Sequence, residues 1–251
     1  MIAFYTIIRK EIYRILRIWS QTLLPSLITV TLYFVIFGHL IGSYVGFMGG
    51  KKYIEYIMPG LVMMSIIINS YSNVSSSFFN AKFHGNIQEI LIAPVSNSII
   101  ICGYVLGGVI RGLTVGFLVM LLGLYFTRIS INSFFKSFLV AMLTAILFSL
   151  AGFLNGLCAK KFDDVAMVPT FILTPLSYLG GIFYSVTLLP PFWQYITRLN
   201  PLFYIINAFR ESMLGISDIR LCVAISIILG FITLLYLLLI WMLSKGIGIR
   251  A

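Results

Sequence analysis

Six runs of mostly apolar residues divide the chain: Leu23 to Ile41, Ile57 to Phe79, Ile99 to Phe126, Phe138 to Cys158, Val165 to Ser185, and Leu221 to Leu243. A bilayer core of about 30 Å is crossed by roughly 20 helical residues, so each run is long enough to span it. Arg111 is the only charged residue inside any of them. Exclusion of charge on this scale predicts transmembrane helices. Ahead of the first run, Tyr5, Ile8, Ile12, Ile15 and Trp19 recur at steps of three or four, with Lys10, Arg14 and Arg17 on the opposite side. This spacing predicts an amphipathic helix over residues 1–21, lying along a membrane surface. The first run continues into Gly42 and Ser43 without a small-residue cleavage site, so it is expected to stay as an anchor. No short-period repeat and no long linker interrupts the pattern. The expected fold is all-α: one polytopic membrane domain over 1–251, with six transmembrane helices.

Composition sharpens this picture. Hydrophobic side chains make up 60% of the 251 residues and charged ones 10%, against about 45–50% and 25% in soluble domains. The formal charge of +10 is expected to set orientation beside anionic lipid rather than to bind nucleic acid. Nine Lys and Arg fall on the side of the N-terminus (Arg9, Lys10, Arg14, Arg17, Lys82, Lys160, Lys161, Lys245, Arg250) and seven on the other. Four of the nine precede the first span, where they dominate topology, so both termini are expected in the cytoplasm. Cys102, Cys158 and Cys222 are scattered in apolar surroundings and suggest neither a disulfide framework nor a zinc site. No cofactor is expected.

The same runs restrict the energy source. Proton-coupled carriers keep carboxylates or histidines inside the bundle. The six runs contain no Asp or Glu, and His39 sits at the far end of the first. No G-x-x-x-x-G-K-[ST], H-E-x-x-H or G-x-S-x-G occurs. Energy for uphill movement would therefore have to arrive through a cytoplasmic contact. The stretch between the second and third runs suits that role: Asn86 can cap a short helix with Glu89 three positions on, Ile87, Ile90 and Leu91 form an apolar face, and Pro94 ends it. The alternative is a plain connecting turn resting on headgroups.

Within the second run, Ser65, Asn69, Ser72, Ser76 and Asn80 share one helical face, with Asn73 and Ser77 beside it. Such a face is either the wall of a path or subunit seam, or hydrogen-bonding glue between helices. The third run pairs Gly103 with Gly107, Gly108 with Gly112, and Gly112 with Gly116, a pattern for close helix packing. Arg111 lies among these glycines and must find carbonyls, a partner, the interface, or an anionic substrate group. Pro169, Pro175, Gly180 and Gly181 predict kinks in the fifth run. Beyond it, Pro190 and Pro191, then Asn200 and Pro201 with a stop at Gly215, predict two short helices dipping into the outer interface. Trp193, Tyr195, Phe203 and Tyr204 suit headgroup depth, and Arg210 and Glu211 are expected to be solvated or paired locally.

From the fifth run onward, Leu173, Leu176, Leu179, Gly180, Ile182, Leu189, Pro190, Pro201, Leu202, Tyr204 and Arg210 fall at a spacing that resembles the signature of ABC-2 type transporter permeases. The likeness extends along nearly the whole chain and is strongest to inner-membrane permeases of Gram-negative bacteria. It implies a six-helix subunit that dimerises, pairs with a separate cytoplasmic ATPase and exports a substrate. It further implies that Asn86, Ile87, Glu89, Ile90, Leu91 and Pro94 belong to a coupling helix. The same likeness places Ser65, Asn69, Ser72, Ser76, Thr174 and Ser177 near the pathway or dimer seam. Members that export long polysaccharides often carry aromatic rows, whereas Ser and Asn dominate here. Competing expectations are a non-transporting membrane scaffold, and an ion-driven carrier that would depend on a proton or sodium gradient.

Overall fold

The computed structural model describes residues 2–86, 95–127 and 129–248. Of the coupling segment only Asn86, exposed at the surface, falls among them; Ile87, Glu89, Ile90, Leu91 and Pro94 lie outside the described residues.

Helix α1 (Ile2–Arg17) ends at a break at Ile18. Helix α2 (Trp19–Val45) follows, including a π-helical stretch over Phe34–Ile41. It extends the first expected span at both ends and stops at Gly46, whose φ of +70° is costly for other residues. A hairpin unforeseen from the sequence comes next. Strands β1 (Phe47–Met48) and β2 (Lys51–Lys52) pair antiparallel, with Phe47 opposite Lys52. Gly49 and Gly50 supply the two positive φ angles a type I′ turn requires.

Helix α3 (Tyr53–Phe83) is the axis of the fold. It packs on α4 (Asn97–Thr127) and α5 (Phe134–Cys158) along most of their lengths. Glycines on the two neighbours permit the approach. A methyl group on Gly116 would meet Ile66, and one on Gly156 would lie 2.8 Å from the Ser75 carbonyl oxygen. At one end of the bundle Lys82 Nζ donates to the carbonyls of Leu157 and Ala159, 2.7 Å each. It thereby satisfies acceptors that the end of α5 leaves open.

Among the described residues, five helices are long and apolar enough to cross a membrane: α2, α3, α4, α5 and the final α9 (Leu221–Ser244). The fifth expected run is shorter and broken. Helix α6 covers residues 162–179 as Phe162–Val168, a π turn at Pro169–Leu173, and Thr174–Leu179. Pro169 has no N–H to give, and its carbonyl receives both the Thr174 N–H and the Thr174 hydroxyl, the latter at 2.9 Å. The widened turn is the kink that the prolines predict. Gly180 and Gly181, the latter at φ +81°, end the helix before the run of apolar residues does.

Two short helices follow, α7 (Pro191–Leu199) and α8 (Pro201–Leu214). Asn200 Oδ1 accepts from the Leu202 N–H at 3.0 Å, and Gly215 closes α8 in the left-handed region, as the capping residues predict. Trp193 and Tyr195 are exposed, whereas Phe203 is buried. Arg210 also departs from expectation. It is 1% exposed, donates to the Gly181 carbonyl at 2.6 Å, and stacks 4.0 Å from the centre of the Tyr56 ring. A desolvated cation over an aromatic face contributes about 2 kcal/mol, which offsets part of the several kcal/mol that burying the charge costs.

Before the apolar part of α6, Asp164 accepts the N–H groups of Lys160 (2.9 Å) and Lys161 (3.0 Å). These two bonds hold its carboxyl below the usual range. The folded group titrates below the unfolded reference of about 3.9, so its contribution is present above that pH and is lost as pH falls through the lowered value. Amide exchange at Lys160 and Lys161 should stay protected at neutral pH and accelerate under strong acid. Asp164→Asn should bring the faster exchange to neutral pH; unchanged protection in that variant would contradict this cap.

Candidate functional site

The predicted amphipathic helix turns a polar face inward. Ile7, Glu11 and Arg14 are spaced by four and three residues, which puts them on one side of α1. Gly103 and Gly107 of α4, also four apart, receive the first two. A methyl group on Gly103 would lie 2.7 Å from Ile7 Cγ2, and one on Gly107 would lie 2.8 Å from Glu11 Cβ. Glu11 is 0% exposed. Its carboxylate accepts from the Ser77 hydroxyl and, at 3.1 Å, from Arg14 Nη2. Arg14 Nη2 also lies 2.9 Å from the Asn73 carbonyl and 2.7 Å from Asn73 Oδ1, and Arg14 Nη1 lies 3.4 Å from Ser76 Oγ. Arg14, expected on the solvated side of α1, is thus turned into the protein. The apolar stripe that revealed this helix is half-buried at Ile8, Ile12 and Ile15 and exposed at Tyr5 and Trp19.

Arg111 joins the same cluster from α4. Its Nη1 points to Asn73 Oδ1 and its Nη2 to Asn69 Oδ1, both at 3.4 Å. Two guanidinium groups therefore share one amide oxygen. Among the described residues the one carboxylate bonded to them is Glu11, which is paired with Arg14. Counting one negative and two positive groups, the cluster carries a formal charge of +1. Donors are also in excess: Arg14 Nε, Arg111 Nε and Asn73 Nδ2 are buried without an acceptor among the described residues. Away from bulk water, such an arrangement favours an acceptor-rich anion.

The cluster opens onto a cavity of about 440 Å³ between α3, α4 and α6. Arg111, Ser72, Ser76, Asn80 and Thr170 form its polar wall, and Phe79, Phe162, Val165 and Pro169 are among its apolar residues. Of the residues singled out on the second span, the structure brings Ser72, Ser76 and Asn80 to this cavity. Ser65 and Asn69 are buried outside its lining. Ser65 donates to the Leu61 carbonyl, and Asn69 Nδ2 donates to Ser26 Oγ of α2 at 3.1 Å and to the Ser65 carbonyl at 2.9 Å. Thr174 and Ser177 bond to carbonyls of their own helix, at Pro169 and Leu173. The part of α6 that lines the cavity lies between Phe162 and Thr170, at its start. Sequence reasoning passed over Glu11, Arg14 and Thr170. For Glu11, a signal was present in the shared four-residue spacing of Ile7 and Glu11 with Gly103 and Gly107.

The family model described as ABC-2 type transporter matches residues 2–214. The inner membrane transport permease YadH of Escherichia coli (strain K12) is 54% identical over 250 residues, covering 100% of this chain and 98% of that protein. Nodulation protein J of Neorhizobium galegae is 24% identical over 208 residues, covering 82% of this chain and 79% of that protein. Nodulation protein J of Rhizobium meliloti (strain 1021) is 24% identical over 206 residues, covering 78% and 77%. A bundle of long apolar helices and a match that runs from α1 to the end of α8 lead to one conclusion: the chain belongs to the ABC-2 type transporter family.

Proposed function

We propose that this chain is the membrane-spanning subunit of an ATP-driven exporter, working as a dimer with a separate cytoplasmic ATPase. The observation that carries this reading is the cavity in which the polar face of α3 meets Arg111 and the start of α6. A charged and hydroxylated recess between membrane helices is costly to maintain in lipid and marks a route for substrate. Membership of the family and the high identity to an inner membrane transport permease support the transport role. On this reading α6 completes a sixth crossing together with the turn that follows it, α7 and α8 dip into the outer interface, and both termini face the cytoplasm. Residues 1–251 then form one membrane domain in the inner membrane. The segment from Asn86 to Pro94 is the contact through which the ATPase moves the helices: Glu89 orients the partner, and Ile87, Ile90 and Leu91 fill its groove. Lys82 is well placed to relay that movement, because it ties the end of α3 to the end of α5.

Leu91→Asp should abolish copurification with the cognate ATPase and uncouple its hydrolysis from transport. Burying one carboxylate in an apolar groove is expected to weaken association by about 3 kcal/mol, roughly a hundredfold. Association and coupled hydrolysis that survive the substitution would refute the assigned contact.

A further inference from the structure

We propose that the Arg111 cavity binds the phosphoester head of an anionic amphiphile. This rests on reading the cavity as part of the permease path and names the chemical class it takes.

Charge comes first. Arg14 has its carboxylate in Glu11, but Arg111 reaches two neutral amide oxygens at 3.4 Å and shares one of them with Arg14. An anion beside Arg111 neutralises the net charge of the cluster and separates two like charges in a poorly screened setting. A neutral sugar or an ammonium group would leave that repulsion in place or add to it.

The donors select a group with several oxygens. The Ser72 hydroxyl, Asn80 amide and Thr170 hydroxyl line the cavity without a hydrogen-bond partner among the described residues. Together with the guanidinium they give the cavity donors from three helices, with Asn80 about 12 Å further along α3 than Ser72. A phosphoester presents several acceptor oxygens in a tetrahedral arrangement and suits such a setting better than a planar, two-oxygen carboxylate.

Size and the remaining lining select the tail. About 440 Å³ falls in the range of roughly 300–1,000 Å³ that holds whole small molecules, well beyond a bare phosphate. Phe79, Phe162, Val165 and Pro169 give that extra space apolar walls. Head and tail of a single amphiphile account for both parts of the lining.

The test uses the full chain purified in a neutral maltoside detergent, with no ATPase present. Retention of dioleoyl phosphatidic acid is measured against dioleoyl phosphatidylcholine and against competition by inorganic phosphate. The unsubstituted chain should prefer phosphatidic acid by about tenfold or more, the scale of one charge-assisted contact. Arg111→Gln should lose the preference and Arg111→Lys should keep most of it. Ala166→Trp fills the cavity without touching a charge and should also lose the preference, so the answer does not hang on whether Arg111→Gln folds. Equal retention of the two lipids by the unsubstituted chain would overturn the proposal. So would an unchanged preference in a folded Arg111→Gln or Ala166→Trp variant. Inorganic phosphate competing as well as the lipid would overturn the amphiphile assignment in favour of a water-soluble anion. Failure of the Leu91→Asp experiment would instead strike the ATPase contact, leaving this binding measurement unaffected.

Discussion

Replacing Glu11 by alanine is expected to destabilise the protein by about 3 kcal/mol, among the largest effects of any single side-chain truncation in this fold. Glu11 is the negative member of a cluster that otherwise holds two guanidinium groups, and it is fully buried. Truncation leaves Arg14 facing Arg111 across Asn73 with no carboxylate between them. Breaking a buried pair in this way costs about 3–5 kcal/mol; the Arg14 side chain retains 23% exposure, which places the loss at the low end of that range. The measurement is thermal unfolding in detergent. Adding Arg14→Met to Glu11→Ala should recover a substantial part of the lost stability, because the uncompensated charge is then removed as well. A single Glu11→Ala variant as stable as the parent would show that the pair is not a structural element.

The second large effect is at Gly152 on α5. A methyl group there would fall on the Tyr71 carbonyl oxygen of α3 and sit 3.0 Å from its carbonyl carbon. The obstacle is backbone, so no rotamer change relieves it, and the two helices would have to move apart. Gly152→Ala is expected to cost about 3 kcal/mol, at the upper end of ordinary overpacking. Gly152→Leu should prevent the packed state from forming. Gly230 on α9 provides the contrast, since nothing lies within 4 Å of a methyl group placed there. Gly230→Ala should be neutral or stabilising by up to about 1 kcal/mol, the difference in helix propensity. If the two alanine variants melt together, close approach at Gly152 is not what holds α5 to α3.

Much of this architecture is legible in the sequence because lipid punishes charge so strongly. The runs that exclude every charged residue but Arg111 become α2, α3, α4, α5 and α9, with ends that shift by a few residues where polar caps and aromatic residues extend the helices. The proline pair in the fifth run marks the π turn correctly, yet two glycines shorten that helix in a way hydrophobicity does not reveal. The polar face of the second run is likewise visible by spacing, but which of its members meet a cavity depends on neighbours. Asn69 bonds to Ser26 of α2, Ser65 bonds back to its own helix, and Ser72, Ser76 and Asn80 reach the space beside α6.

Helix α1 was harder to orient for a physical reason. In water an apolar stripe faces the core, whereas beside a bilayer it can face lipid, leaving the polar side for protein. Its inward residues therefore look like a solvated face until Gly103 and Gly107 are seen to receive them. Arg210 misleads in the same way, because its direct contacts are an aromatic ring and a backbone carbonyl, with Asp218 lining the same recess.

Helix α3 bears on how the polypeptide is made. It is the least apolar of the five long helices and the most enclosed: 89% of its apolar window is buried, against 11% for α2 and 17% for α9. Its Ser and Asn side chains are poor solutes in hydrocarbon, but the partners that cover them, α4 and α5, end 75 residues further on, at Cys158. At roughly 5–20 residues per second, a ribosome needs about 4–15 s to produce them. Throughout that interval α3 must be sheltered by the insertion machinery or a membrane chaperone, which makes co-translational timing a determinant of yield for this protein.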